Sequence, residues 1–241
     1  QETVFRGIPV SSGVCHGPVI VVGPRTFQVP EYEISETGIP AEIQRFKRAL
    51  IKTREELQKI QRELFDKVQT NEAGIFDAHI LVLEDQTIID EVTRLVSDDR
   101  MNVEAAFDRI TRKFTSALSA VEDNYLRERA ADMKDVADRV MGNLLGGRDL
   151  DPLSEIKVPS IIIGHDLSPS MTALFDREMV LGFATDIGSP TSHTAILARS
   201  LNLPSVVALR DVSSRLTSGQ QVLLDGYDGL VIQNPSEQTL F

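Results

Sequence analysis

Apolar residues change their spacing twice along the chain. In the first thirty residues they come in short runs, TVFRGIPVSSG and GPVIVVG, broken by Gly, Pro and Ser, which is the pattern of strands. From Pro40, a residue suited to a first helical turn, Ile43, Phe46, Leu50, Leu57, Ile60, Leu64 and Val68 recur at spacings of three, four or seven. This predicts one long amphipathic helix over 40–69. Ile75, Phe76, Ile80 and Leu83, then Ile88, Ile89, Val92 and Val96, predict two short helices separated near Glu84–Gln86. Asn102 is an N-cap type. A stripe from Val103, Ala106, Phe107, Ile110, Phe114 and Leu118 runs through Val121, Tyr125 and Leu126 to Val136, Val140 and Leu144, where Gly146-Gly147 stops it. Helices this long need partners for their stripes, so 35–147 is expected to be an all-helical bundle.

After GGRDLDPL the period shifts again. PSIIIG, VLGFAT, SVVAL, QVLLDG and GLVIQN read as short strands, and helical patterns fit around 170–176 and 192–202. The early strands have no β partners nearby in sequence, so they are expected to join this later sheet. The fold class is then a two-domain mixture of α+β and α/β. A discontinuous α/β domain spans 1–34 and 148–241, with the helical bundle, 35–147, inserted between its parts.

Composition narrows the function classes. The chain has 241 residues, 41% of them hydrophobic and 25% charged, in the range of globular proteins. No apolar run is long enough to cross a bilayer, and QETVFRGIPV lacks the layout of a signal peptide, so a cytoplasmic protein with no membrane contact is expected. Cys15, the one cysteine, makes no internal disulfide and reads as a small packed residue. A net charge of −11 without Lys/Arg clusters argues against general nucleic-acid binding. Residues 71–99 hold eight acids against one base, Arg94, so a partner docking there should be basic.

The candidate chemistry lies in DIGSPTSHTAILARSLNLPSVVAL, 186–209, which places one of the four histidines where a turn becomes a helix. Gly188-Ser189-Pro190 makes the turn, Thr191 and Ser192 are N-cap types, and His193 falls in the first helical turn. That end of a helix carries unpaired N–H groups and partial positive charge, which favours an anion and disfavours imidazolium. A neutral imidazole is a nucleophile, and the hydroxyls of Thr191, Ser192 and Thr194 could solvate phosphate oxygens around it. The same spacing also suits an ordinary surface histidine beside a cap. A metal site is the weaker reading, because ligand-rich partners are missing nearby.

GSPTSHTAILAR, 188–199, resembles the phosphohistidine segment of the phosphoenolpyruvate-utilising enzymes. GIFDAHILVLED, YLRERAADMKDVADRVMGNLLG, DLSPSMTAL and LGFATDIGSPTSHTAILARSLNLPSVV are together similar to the amino-terminal half of the enzyme I family of the bacterial sugar phosphotransferase system. The helical insert sets this family apart from the dikinases. The resemblance implies a swivelling β/β/α phosphohistidine domain. It implies that His193 takes a phosphoryl group from phosphoenolpyruvate on Nε2 and passes it to a histidine of the carrier HPr, with Thr172 hydrogen-bonding and orienting the ring. Taken alone, Thr172 reads as a hydroxyl bonded to its own helix backbone. The resemblance further places Asp77, His79, Val82, Asp85 and Ile88 on HPr-docking helices with Arg129 beside them, although each alone reads as an ordinary face residue.

Two departures qualify it. Gly188-Ser189-Pro190 stands where the family has Gly-Gly-Arg, removing a cation, and Arg199, six residues beyond His193 and about 240° round the helix, cannot replace it from the same face. The chain also ends at NPSEQTLF, before the barrel in which the family binds phosphoenolpyruvate and magnesium and dimerises. It is therefore expected to be a monomeric amino-terminal fragment without a cofactor, exchanging phosphate with HPr but not charged by phosphoenolpyruvate alone. A regulatory paralogue or binding module acting on another HPr-like carrier is the alternative, and a dikinase swivelling domain a third.

Overall fold

A computed structural model of the protein describes residues 2–24, 26–68, 74–146, 153 and 156–240. Gly147, the expected boundary at 148 and Glu72 of the acidic stretch lie outside the described residues. The chain divides into two compact units, one of 1–24, 64–72 and 150–241, the other of 25–63 and 73–149. The first boundary thus falls ten residues before the expected one. The reason is backbone pairing: Tyr32 N donates to Asn102 Oδ1 at 3.0 Å, Ile34 N to Arg100 O at 2.8 Å, and Asn102 Nδ2 to Pro30 O at 2.9 Å, which ties 30–34 to the helical unit.

The helical unit includes a 3₁₀ turn at Glu36–Gly38, α1 (Ile39–Val68) as far as residue 63, α2 (Ile75–Leu83), α3 (Gln86–Asp98), α4 (Val103–Ser119) and α5 (Asn124–Leu144). Phe46, Leu57, Ile60 and Leu64 of α1 are buried, and the Phe46 and Phe107 rings meet with centroids 5.8 Å apart. The stripe expected to run unbroken from Val103 to Leu144 is interrupted at 120–123. Asp123 caps α5 by accepting from Leu126 N at 3.1 Å, and Val121 and Tyr125, which seemed to bridge the stripe, are 44% and 61% exposed. A connection this short returns the chain antiparallel, and α4 and α5 pack on each other. Glu42 of α1 accepts from Val103 N at 2.9 Å, satisfying the first turn of α4, while Arg45 bridges Glu42 and Glu104. Burial works against the Arg45 charge, but bonds to Glu104 and Glu42 outweigh it and hold the guanidinium above its ordinary pKa.

Among the described residues the other unit is built on eight strands, β1 (Thr3–Arg6), β2 (Ile8–Ser11), β3 (Val14–Val22), β4 (Ser160–Gly164), β5 (Val180–Thr185), β6 (Ser205–Val207), β7 (Gln221–Asp225) and β8 (Leu230–Gln233). Their order is β1-β8-β7-β3-β4-β5-β6-β2, so the early strands do pair with the late ones. β3 to β6 run parallel and the outer pairings are antiparallel. Because β1 and β2 are opposite ends of this order yet are joined by Gly7 alone, the sheet must curl until its edges meet. Gly7 N donates to Gly229 O at 2.9 Å across that closure, and a Cβ on Gly226 would stand 2.1 Å from Ser11 O. Val19, Ile161, Ile163, Ala184, Val206, Val222, Leu224 and Val231 form the core on one face. Among the described residues this unit also has the helices α6 (Pro169–Ala173), α7 (His193–Ser200), α8 (Val212–Arg215) and α9 (Glu237–Leu240). Lys67, in the last turn of α1 and itself part of this unit, reaches Ala173 O and Phe175 O at 3.5 Å, a cation at the carbonyl end of α6.

Candidate phosphoryl site

The carboxyl ends of parallel strands gather chemistry in α/β sheets, because the loops there feed helix N-termini. β4 is followed by His165 and leads to α6, and β5 is followed by Asp186 and leads to α7. Asp186 N and Ile187 N donate to Gly164 O and His165 O, both at 3.1 Å, holding the two loops side by side. Gly188, at φ +126°, turns the chain, and a side chain there would be strained as well as crowded by Val207. Ser192 then caps α7: its Oγ accepts from Ala195 N at 3.2 Å and donates to Ser189 O at 3.1 Å.

His193 is therefore the first residue of α7, half-buried, with its own N–H and that of Thr194 ahead of the first rung of the ladder, Ile196 N to Ser192 O at 3.0 Å. Thr194 Oγ1 donates to Leu167 O at 2.7 Å, which pins this turn to the segment leading into α6. Thr172, fully buried on α6, donates to Ser168 O at 2.9 Å, the backbone bond its position alone suggests. α6 and α7 pack on each other, so the elements carrying Thr172 and His193 are neighbours. Arg199 departs from the helical-wheel expectation. Its side chain folds back along α7 and Nη1 donates to Pro190 O at 2.8 Å, returning a cation to the turn that precedes His193.

The residues assigned to docking lie in the helical unit, and two of them need correction. His79 is fully buried, with Nε2 3.2 Å from Asp135 Oδ2 and Nδ1 3.3 Å from Ile75 O, so it holds α2 to α5 and faces no partner. Ile88 is 6% exposed, a core residue of α3. The reason is the same for both: α2 and α3 are short and turn their chemistry inward toward α4 and α5. Val82 is half-buried and lines a small, partly open apolar pocket with Leu50, Phe107 and Val136. Asp77 is exposed and accepts from Gln61 Nε2 at 2.8 Å, and Asp85 is exposed and caps α3 through Thr87 N at 2.8 Å. Arg129 lies over the Tyr125 ring, 5.3 Å from its centroid. Sequence reading missed Leu81, 65% exposed one turn beyond Asp77; its signal was an apolar residue off the stripe set by Phe76 and Leu83. The acidic surface is partly compensated, since Glu84 pairs with Arg54 and Glu91 with Lys113, both at 2.9 Å.

Among the described residues no group of three or more His, Cys, Asp or Glu is placed to hold a metal ion, and no helix is long and apolar enough to cross a membrane. Cys15 is half-buried, and burial pushes its thiol up to about 12.

Known proteins agree with this arrangement. Residues 6–129 match the family model described as PEP-utilising enzyme, N-terminal, and 156–229 that of the PEP-utilising enzyme, mobile domain. The chain is 38% identical over 243 residues to a phosphoenolpyruvate-protein phosphotransferase of Bacillus sp. (strain S), and 38% identical over 240 residues to that of Geobacillus stearothermophilus. Both alignments take in all of this chain but 41% of the relative, so it spans about two fifths of those proteins. An NMR solution structure of enzyme I superimposes with a TM-score of 0.74 at 36% identity, covering 98% of this chain and 95% of that one. The N-terminal domain of Enzyme 1 - Nitrogen, at 24% identity and a TM-score of 0.63, shares the fold. With more than half its length matched by the amino-terminal model and a further stretch by the mobile-domain model, the chain belongs to the PEP-utilising enzymes.

Proposed function

We propose that the chain accepts a phosphoryl group on His193 Nε2 and hands it to a histidine of a small carrier of the HPr type, with phosphoenolpyruvate as the ultimate donor in the whole protein. The observation that carries this is the position of His193 at the capped first turn of α7, between the Ser192 cap and the anchored Thr194. Thr172 supports it through proton counting. A hydroxyl has one proton, and that of Thr172 goes to Ser168 O, so toward the His193 ring it can act only as an acceptor, and the N–H assigned to it in this proposal is that of Nδ1. That tautomer leaves the lone pair on Nε2, the nitrogen that attacks. In transfer from a phosphocarrier one P–N bond forms as another breaks, the departing imidazole keeps the electron pair, and no co-reactant is needed. Swivelling of the sheet unit between donor and acceptor, in keeping with its mobile-domain match, belongs to the same proposal.

The docking face is assigned to the outer side of α2 and the start of α3. Asp77, Leu81 and Asp85 offer an apolar contact flanked by carboxylates to a basic partner, and Arg129 stacked on Tyr125 is the accompanying patch. The test is isotope exchange with phosphorylated HPr. The native chain is expected to exchange label, and His193→Gln to lose all exchange while binding HPr with unchanged affinity. Equal exchange by the His193→Gln chain overturns the assignment of the nucleophile, and binding without exchange by the native chain makes it a binding module.

A further inference from the structure

His165 is the second histidine at the carboxyl edge of the parallel strands, and the phosphoryl-transfer reading leaves it without a task. Its Nδ1 lies 3.1 Å from Asp186 Oδ2. The Asp186 side chain is 4% exposed and is fixed from behind by Ser213, whose N–H donates to Oδ1 at 2.8 Å and whose hydroxyl donates to Oδ2. A carboxylate in that position accepts Nδ1–H and sets the tautomer, which puts the lone pair on Nε2. The imidazole itself is 58% exposed, so with Nδ1 turned to Asp186 the open part of the ring is its Nε2 side. This is the layout of an oriented nucleophile: a reactive nitrogen facing solvent, a buried carboxylate on the other nitrogen, and a third group holding the carboxylate.

The other histidines show what is particular about it. His79 is fully buried. His16 is exposed on β3, and its ring has no carboxylate partner among the described residues. We infer that His165 is a second phosphoryl acceptor of this domain, charged on Nε2 by N-phosphorylated donors. The inference rests on the phosphoryl-transfer reading for its natural donor. In the step, neutral Nε2 attacks phosphorus, a P–N bond to His165 forms, and the donor's P–N bond breaks with its electron pair leaving on the donor nitrogen. The ring then carries positive charge through its retained Nδ1–H, and the Asp186 carboxylate stabilises that charge as it develops.

Phosphoramidate is a small P–N donor that tests this without a carrier, since its nitrogen departs as ammonia. Time-resolved fragmentation mapping of the native chain is expected to show His165 labelled about tenfold or more faster than His16. In the His193→Gln chain His165 labelling is expected to persist, and Asp186→Asn is expected to slow it toward the His16 rate. Labelling of His165 no faster than His16 in the native chain overturns the inference, whether or not the Asp186 variant folds. Because His193 is mapped in the same spectra, its labelling stands or falls separately.

Discussion

Thr172 has one hydroxyl proton, committed to Ser168 O, and this limits what it can do for His193. Thr172→Val removes the hydroxyl with little change in volume, so the expected result is a roughly 10- to 100-fold slower phosphoryl transfer with the label still on His193, and recovery by Thr172→Ser. Quench-flow with mass readout measures it; an unchanged rate would reduce Thr172 to a helix hydroxyl. His79 is a residue of another kind. His79→Ala leaves the buried Asp135 carboxylate without its imidazole contact, and an expected loss of about 3 kcal/mol should appear in urea unfolding, with phosphoryl uptake at His193 retained in the folded fraction. Cys15, raised to about 12, should resist thiol reagents at pH 8 until the chain unfolds. A folded pKa above the ordinary 9.0 means that its contribution to stability is complete below 9.0 and is lost as pH rises toward 12, so Cys15→Ala should flatten that alkaline limb in thermal scans.

At the scale of elements, the strands were legible because each is an apolar run closed by Gly, Pro or Asp, and all five late runs are strands where the pattern puts them. α1 followed its stripe within a residue at each end. The break between α4 and α5 was hidden because Leu118, Val121 and Tyr125 keep helical spacing although Val121 and Tyr125 face solvent; the Asp123 cap was the sign to weigh against them. α8 and α9, at four residues each, are too short to show a period. The capped His193 turn was visible from its hydroxyl-rich sequence. His79, its partner Asp135 and the pairing of His165 with Asp186 were not, because those contacts join residues 56 and 21 positions apart. Closure of the sheet also escaped sequence reading, and it makes a prediction. Gly226→Ala places a methyl 2.1 Å from Ser11 O, and a fall in stability of about 2 kcal/mol or more is expected by calorimetry, larger than for Gly142→Ala, where the space is open.

For the whole molecule, a chain of net charge −11 with exposed Asp77, Asp85, Asp90, Asp98 and Asp99 on α2, α3 and their ends should meet a basic carrier through a salt-sensitive encounter. Raising ionic strength is expected to lower the association rate, while Leu81→Ala chiefly speeds dissociation, both readable by surface plasmon resonance. Incubation of the chain with phosphorylated HPr, followed by intact mass and fragmentation mapping, decides whether His193 carries the phosphoryl group. Phosphate is expected on His193 in the native chain and none at that position in His193→Gln; a native chain that binds the phosphorylated carrier yet gains no phosphoryl group at His193 would rule this nucleophile out.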